Sequence, residues 1–280
     1  MNAPERLSMT PVFVCLLLIY SALSGFIIYF WRTKPSEPYP KTLEAGLLLP
    51  TLGLHGMWLF EPMLKSQQLL LGFTDALAVL SWLTVLWYWS GHFFYRLQGL
   101  QLFLFPLALL SIVIKQCLPS PSVAINVSNW AFGGHIVSSL LAYSLFALAT
   151  VLAILLFWQI KHLKSNHLTA AVAFLPPVLS VEKLLFQALS LGFVLLSLSL
   201  VTGMLFSEAI FGHAFVWNHK AVFGVISWCI YAWIVALRWR QGIRGKKVCI
   251  AIVLGFVSLV LAYLGSKFVL EIILMNQATM

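Results

Sequence analysis

Two histidines and two further polar or aromatic side chains cluster in residues 202–232 of a chain that is otherwise strongly apolar. His213 and His219 lie there beside Trp217 and Lys220. Neutral imidazole is a common ligand of haem iron, zinc and copper, so this spacing suits binding of a metal or a metal-bearing cofactor. The alternative for each histidine is a hydrogen bond to a neighbouring helix or to interfacial water. Which histidines act together depends on the elements that carry them.

The composition indicates a membrane protein. Hydrophobic residues make up 61% of the 280 residues and charged residues 9%, whereas a soluble domain carries roughly 25% charged residues. The net charge of +9 resides in short loops, where orientation and anionic lipid headgroups explain it, so we expect membrane lipid and no nucleic acid as a partner. The four cysteines are far apart and form no CxxC motif, which argues against a thiolate metal site.

Apolar runs of about 20 residues predict an all-α, polytopic membrane helix bundle. Residues 1–280 are expected to form a single integral membrane domain with about eight transmembrane helices. The predicted spans are roughly 11–31, 43–63, 69–90, 97–115, 131–158, 184–206, 219–239 and 248–270. Just before the sixth of these spans, residues 176–183 indicate a break followed by a helix start, with Ser180 as the N-cap and Glu182 in the first turn.

Lys and Arg counts in the loops predict the orientation. One side of the membrane receives twelve of these residues and the other five. The richer side is expected to be cytoplasmic, which makes both termini periplasmic. His213, His219, His135 and His55 then lie in the outer half of the bilayer or at the periplasmic surface.

Other chemistries have weaker support in the sequence. A proton-coupled transporter normally carries acids within its spans, and Asp75 is the clearest such residue. Neither GxSxG nor HExxH occurs, so a hydrolase is not indicated. On the fifth span, Ser139 and Tyr143 share a face with His135, and this polar stripe could line a pocket or join helices.

Three stretches of the chain resemble the cytochrome c assembly family, the haem-handling membrane proteins that include CcsA and CcmC. A histidine opens a span in WAFGGHIVSSLLAYSLFALA (130–149). A P-x-L-x-x-L-[ED]-like start and a closing T-G occur in 175–206, and WNHKAVFGVISWCIYA (217–232) is similar to the family's tryptophan-containing signature. The similar region is 130–270, and the YpjD- and HemX-like branch is the most similar.

The resemblance implies an inner-membrane protein that binds or handles haem, with haem b as the expected cofactor. It makes His135 a candidate axial ligand, and we hypothesise that His219, His55 or His213 supplies a second. Trp217 and Lys220 would form the edge of the pocket. The protein would coordinate and present haem rather than act as an enzyme, with other cytochrome-assembly or transporter proteins as partners.

Departures from the family pattern keep other functions open. Asn218 replaces an Asp of the signature, His219 a Pro, and Leu264, Gly265 and Ser266 stand where relatives carry a second exported-side histidine. The main alternative is a non-haem accessory or regulatory protein, either a HemX-like modulator of tetrapyrrole synthesis or a partner of an ion transporter. A carrier of metal or other cations is the third class.

Overall fold

The computed structural model describes residues 10–34, 37, 39–66, 68–70, 72–95, 97–118, 124–126, 130–164, 175–205, 207 and 216–265. Eight α-helices occur in this part of the chain, in agreement with the predicted all-α bundle. They are α1 (Thr10–Thr33), α2 (Lys41–Ser66), α3 (Phe73–Gly91), α4 (Gln101–Cys117), α5 (Trp130–Lys164), α6 (Val178–Leu205), α7 (His219–Gln241) and α8 (Lys246–Val260), which continues as a π-helical turn, Leu261–Gly265. Two short strands, β1 (Gln68–Leu70) and β2 (Ala124–Asn126), pair as a two-stranded sheet.

Six of the described helices are long and apolar enough to cross a membrane: α1, α2, α5, α6, α7 and α8 with its π turn. The other two helices are shorter, with 19 residues in α3 and 17 in α4. Large apolar side chains on the long helices are exposed, for example Leu198 at 51% and Leu254 at 59%. Such outward apolar faces suit contact with lipid. The predicted orientation of the termini stays a prediction.

Local backbone chemistry sets several helix ends that differ from the predicted ones. α4 begins at Gln101 rather than at residue 97, because Gly99 has a φ of 95°, outside the right-handed helical region. α6 begins at Val178, and the Pro177 carbonyl accepts the amide hydrogens of Ser180 and Val181. Ser180 is therefore inside the helix, and its assignment as the N-cap was wrong.

The chain divides into two compact units, and the first consists of residues 1–125 and 168–176. In unit 1, α1 packs on α4 and α2, and α3 packs on α4 and α2. Near the start of α2 and α4 and the end of α3, the buried Glu44 carboxylate accepts hydrogen bonds from Tyr88 Oη (2.6 Å) and Gln101 Nε2 (2.9 Å). Burial and the adjacent Glu44 raise the pKa of Tyr39, which lies in the loop between α1 and α2.

The second unit consists of residues 126–167 and 177–280 and contains α5 to α8. α5 packs on α6 and α8, and α7 packs on α6 and α8. The rings of Phe146 and Tyr231 stack face to face with centroids 3.9 Å apart. Gly255 lies against this stack, since a Cβ there would come within 2.9 Å of Tyr231 Cζ. This close packing fixes α5, α7 and α8 in register.

Candidate functional site

His135 lies near the start of α5 and is held by the end of α6. Its Nδ1 is 3.0 Å from the Ser199 carbonyl oxygen and 3.4 Å from Thr202 Oγ1. A carbonyl can only accept, so the Nδ1 hydrogen is donated to Ser199. In the neutral imidazole this leaves the lone pair on Nε2, the atom that would bind a metal. The side chain is half-buried.

Gly203 brings the backbone of α6 against the imidazole ring of His135. A Cβ at this position would be 3.0 Å from Cε1, 3.4 Å from Nδ1 and 3.8 Å from Nε2 of His135. The first distance is shorter than ordinary van der Waals contact, so a side chain there would push on the ring. Thr202 and Gly203, the closing T-G of the sixth predicted span, therefore position His135 together with Ser199.

The polar stripe on α5 joins helices. Ser139 Oγ lies 2.6 Å from Ser199 Oγ on α6, and Tyr143 Oη donates to the Leu259 carbonyl on α8 at 2.9 Å. Since these contacts join α5 to α6 and to α8, the structure favours the alternative in which the stripe supports packing. The same contacts restrain the helix that carries the imidazole.

The start of α7 carries the remaining candidate residues of unit 2. Asn218 is the N-cap, and its Oδ1 accepts the Ala221 amide hydrogen at 3.0 Å. Asp and Asn are both favoured at this position, so the replacement of the signature Asp preserves a helix cap. Trp217, His219 and Lys220 are exposed around it.

His219 and His135 lie at the same end of unit 2. A Cβ on Gly224 of α7 would be 3.6 Å from Leu200 of α6, which places these two residues at one level. His219 is five residues before Gly224, or about 7.5 Å further along the helix at 1.5 Å per residue. His135 contacts the α6 residues next to Leu200. Thr202 and Gly203, which also contact His135, lie about 3 to 4.5 Å beyond Leu200 towards the same end, so His219 is about one turn nearer the end of the unit than His135.

His55 lies in unit 1 and has a buried setting. Its side chain is 0% exposed, and Nδ1 is 3.1 Å from Tyr20 Oη. The ring meets Tyr20 edge-on with centroids 5.6 Å apart and lies beside Trp58. No hydrogen bond to Nε2 is found within the described residues. The assignment of His55 as a haem ligand stays a prediction, and haem bound to it would have to displace the side chains around the ring.

The other ionisable candidates are Asp75, which is paired, and His213. Asp75 pairs with Lys115, and its second oxygen accepts the Gly72 amide hydrogen at 3.1 Å. His213 lies outside the described residues. Among the described residues, no group of three or more His, Cys, Asp or Glu side chains could hold a metal ion. Haem iron, by contrast, needs only one or two protein ligands.

Sequence reasoning missed the residues that position His135. Ser199 is separated from it by 64 residues and contributes a backbone carbonyl, a group present in every residue type. From the sequence, Thr202 and Gly203 were identified only as a closing T-G pair, and no contact of either residue with His135 was predicted. The signal that could have found them is the glycine within an apolar helix, which often marks a close approach by another group.

Comparison with known proteins gives one family. A family model described as "Cytochrome C assembly protein" matches residues 9–274. The chain is 30% identical over 166 residues to "Inner membrane protein YpjD" of Escherichia coli K12, which covers 59% of this chain and 62% of that protein. It is 31% identical over 88 residues to "Cytochrome c biogenesis protein CcsA" of Prochlorococcus marinus MIT 9301, covering 31% of this chain and 28% of CcsA. The matches thus span less than two thirds of the length of these relatives.

Proposed function

Because the chain belongs to the cytochrome c assembly family, we propose that it binds haem at the end of unit 2 that carries His135 and His219. The six apolar helices and the inner-membrane relative make it a multi-pass protein of the bacterial inner membrane. Family membership points to haem handling. Binding by this chain, and haem b as the form bound, are our proposal.

The observation that carries the proposal is the environment of His135. Its Nδ1 donates to the Ser199 carbonyl at 3.0 Å, which directs the lone pair to Nε2 and restrains the ring. Ligating histidines commonly donate their other ring hydrogen to a carbonyl in this way, which raises their basicity as ligands. Thr202 and Gly203 restrain the ring further. His135 is therefore our first axial ligand.

The start of α7 supplies the remaining groups. His219 is exposed at the same end of unit 2, so it is the second ligand in this proposal. Lys220 carries a cation that would meet a haem propionate, and the Trp217 indole, 64% exposed, would cover an edge of the porphyrin. Bound haem would supply an iron whose axial positions accept imidazole nitrogens. The residues bind and orient it, and we propose no catalysed bond change.

Haem titration of the purified chain tests the proposal. The wild type should develop a Soret band that saturates, while His135→Ala should reduce the affinity by at least tenfold. His219→Ala should change the position of the band if His219 is the second ligand. Absence of a saturable band in the wild type would refute haem binding. Recovery of a tetrapyrrole-synthesis enzyme or an ion transporter with the haem-free protein would then support the accessory function.

A further inference from the structure

A charged groove lies in unit 2, where α6 begins, α7 ends and α8 begins. It encloses a cavity of about 730 Å³. Charged side chains on its lining are Glu182, Lys183, Arg238 and Arg244. The predicted orientation places this groove on the cytoplasmic side, away from the proposed haem site. Its chemistry is independent of the function proposed above.

Part of the groove is a fixed ion-pair network. Glu182 Oε1 lies 2.7 Å from Arg238 Nη1 and 3.1 Å from Arg244 Nε. Arg238 donates a hydrogen bond to the Ile243 carbonyl at 3.0 Å, and its guanidinium lies 4.1 Å from the centroid of the Phe186 ring. These contacts tie the loop after α7 to the first turns of α6. Arg238 is therefore a structural residue of the groove.

The groove retains a surplus of positive charge after this pairing. Its lining holds one carboxylate and three cations, which leaves two positive charges in excess. Arg244 is 60% exposed although its Nε contacts Glu182, and Lys183 is exposed beside it. Both side chains are able to reach an anion that enters from the surface. The charge of the groove is complementary to a phosphate group.

Apolar surface continues from the charged groove along α6. Leu179 at 69% and Leu191 at 46% are exposed on its lining. Beyond Leu191 the exposed apolar residues recur at helical spacing, with Val194 at 61% and Leu198 at 51%. On the other side of the groove, Trp239 is 80% exposed, as expected for an indole at a membrane interface. A ligand that fits both surfaces has an anionic head and an apolar tail.

We propose that this groove binds an anionic diacyl phospholipid. Lys183 and Arg244 contact the headgroup phosphate, and an acyl chain follows the exposed row of α6 that starts at Leu191. Basic pockets between transmembrane helices are known to bind such headgroups. Free phosphate would contact only the charged part, whereas a phospholipid contacts both the charged part and the apolar row that continues from it. The ligand is therefore a lipid of the surrounding bilayer.

Native mass spectrometry of the delipidated full-length protein in neutral detergent tests the proposal. Phosphatidylglycerol is added as the probe, with phosphatidylcholine of the same acyl chains and inorganic phosphate in parallel samples. The wild type should retain phosphatidylglycerol in preference to phosphatidylcholine. The Lys183→Gln/Arg244→Gln double variant should lose about 25-fold in affinity, from about fivefold for each basic residue.

Arg240→Gln is the matched control, since Arg240 is an exposed cation near the end of α7 that does not line the groove. It should change the affinity by less than about twofold, well below the effect of one groove cation. If the double variant loses its fold by circular dichroism, Lys183→Gln alone should show the fivefold loss. Equal retention of phosphatidylcholine, tight binding of phosphate alone, or an equal loss in Arg240→Gln overturns the proposal.

Discussion

Gly203→Ala places a methyl group against the ring that we assign as the first haem ligand. The new Cβ would lie 3.0 Å from Cε1 of His135, while the Ser199 carbonyl restrains Nδ1 from the same helix at 3.0 Å. The ring therefore cannot relax without lengthening its hydrogen bond or separating α5 from α6. The substitution keeps the imidazole and changes only its position.

The size of the effect follows from the two ways in which the site can relax. Overpacking of a tight contact costs about 1–3 kcal/mol. If the helices separate, this cost lowers the free energy of unfolding. If the ring of His135 moves instead, the hydrogen bond to Ser199 weakens by about 0.5–1.5 kcal/mol, and haem affinity falls by up to about tenfold. Both effects relieve the same overpacked contact. The more the haem affinity falls, the less the free energy of unfolding should therefore fall.

Gly134→Ala is the matched control for this substitution. Gly134 precedes His135 on α5, and a Cβ there would meet no described atom within 4 Å. Thermal unfolding in detergent and haem titration of both variants separate the two contributions. We expect Gly134→Ala to match the wild type in haem affinity, with stability equal or slightly higher. If Gly203→Ala equals Gly134→Ala in both haem affinity and thermal stability, the close contact between residue 203 and His135 is refuted.

Three further substitutions test the packing of each unit by thermal unfolding in detergent. Glu44→Leu leaves the buried phenol and amide that bond its carboxylate unpaired, so we expect a loss of about 1–3 kcal/mol for each donor. Gly255→Ala should cost about 1–3 kcal/mol, because its Cβ would come within 2.9 Å of Tyr231 Cζ; Gly46→Ala, which meets no described atom within 4 Å, should cost far less. Arg238→Gln should destabilise more than Arg240→Gln, since Arg238 pairs with Glu182 and Arg240 has no ion pair within the described residues; equal losses would contradict the ion-pair assignment.

The sequence predicted the helices well because burial in lipid leaves a strong compositional signal. Each of the eight predicted spans overlaps one observed helix. Errors fell at the ends, where local backbone contacts decide. α5 continues to Lys164 rather than ending at residue 158, and its last turn places His162 against Trp158 with centroids 4.3 Å apart. A prediction from apolar residues ends a helix where polar residues begin, whereas the observed helix continues as long as its backbone hydrogen bonds do.

The candidate site could be predicted only in part. His135 and the start of α7 were identified from residue type and from the family resemblance. Their supporting contacts were not, since Ser199 acts through its backbone and Gly203 through the absence of a side chain. Glu182 was assigned to the first turn of a helix and is the fifth residue of α6, while its pairing with Arg238 and Arg244 was not predicted. Such partners depend on tertiary packing, which residue spacing along one chain does not encode.

The central claim is that His135 ligates haem in this protein. The most direct measurement is the reduced-minus-oxidised absorption spectrum of the haem-loaded wild type beside His135→Ala and His162→Ala. His162 is the matched control, because it is carried at the opposite end of the same helix, α5. We predict that His135→Ala loses the Soret band of bound haem, that added imidazole restores it, and that His162→Ala keeps the wild-type spectrum. An unchanged spectrum in His135→Ala, or an equal loss in His162→Ala, would contradict the assignment.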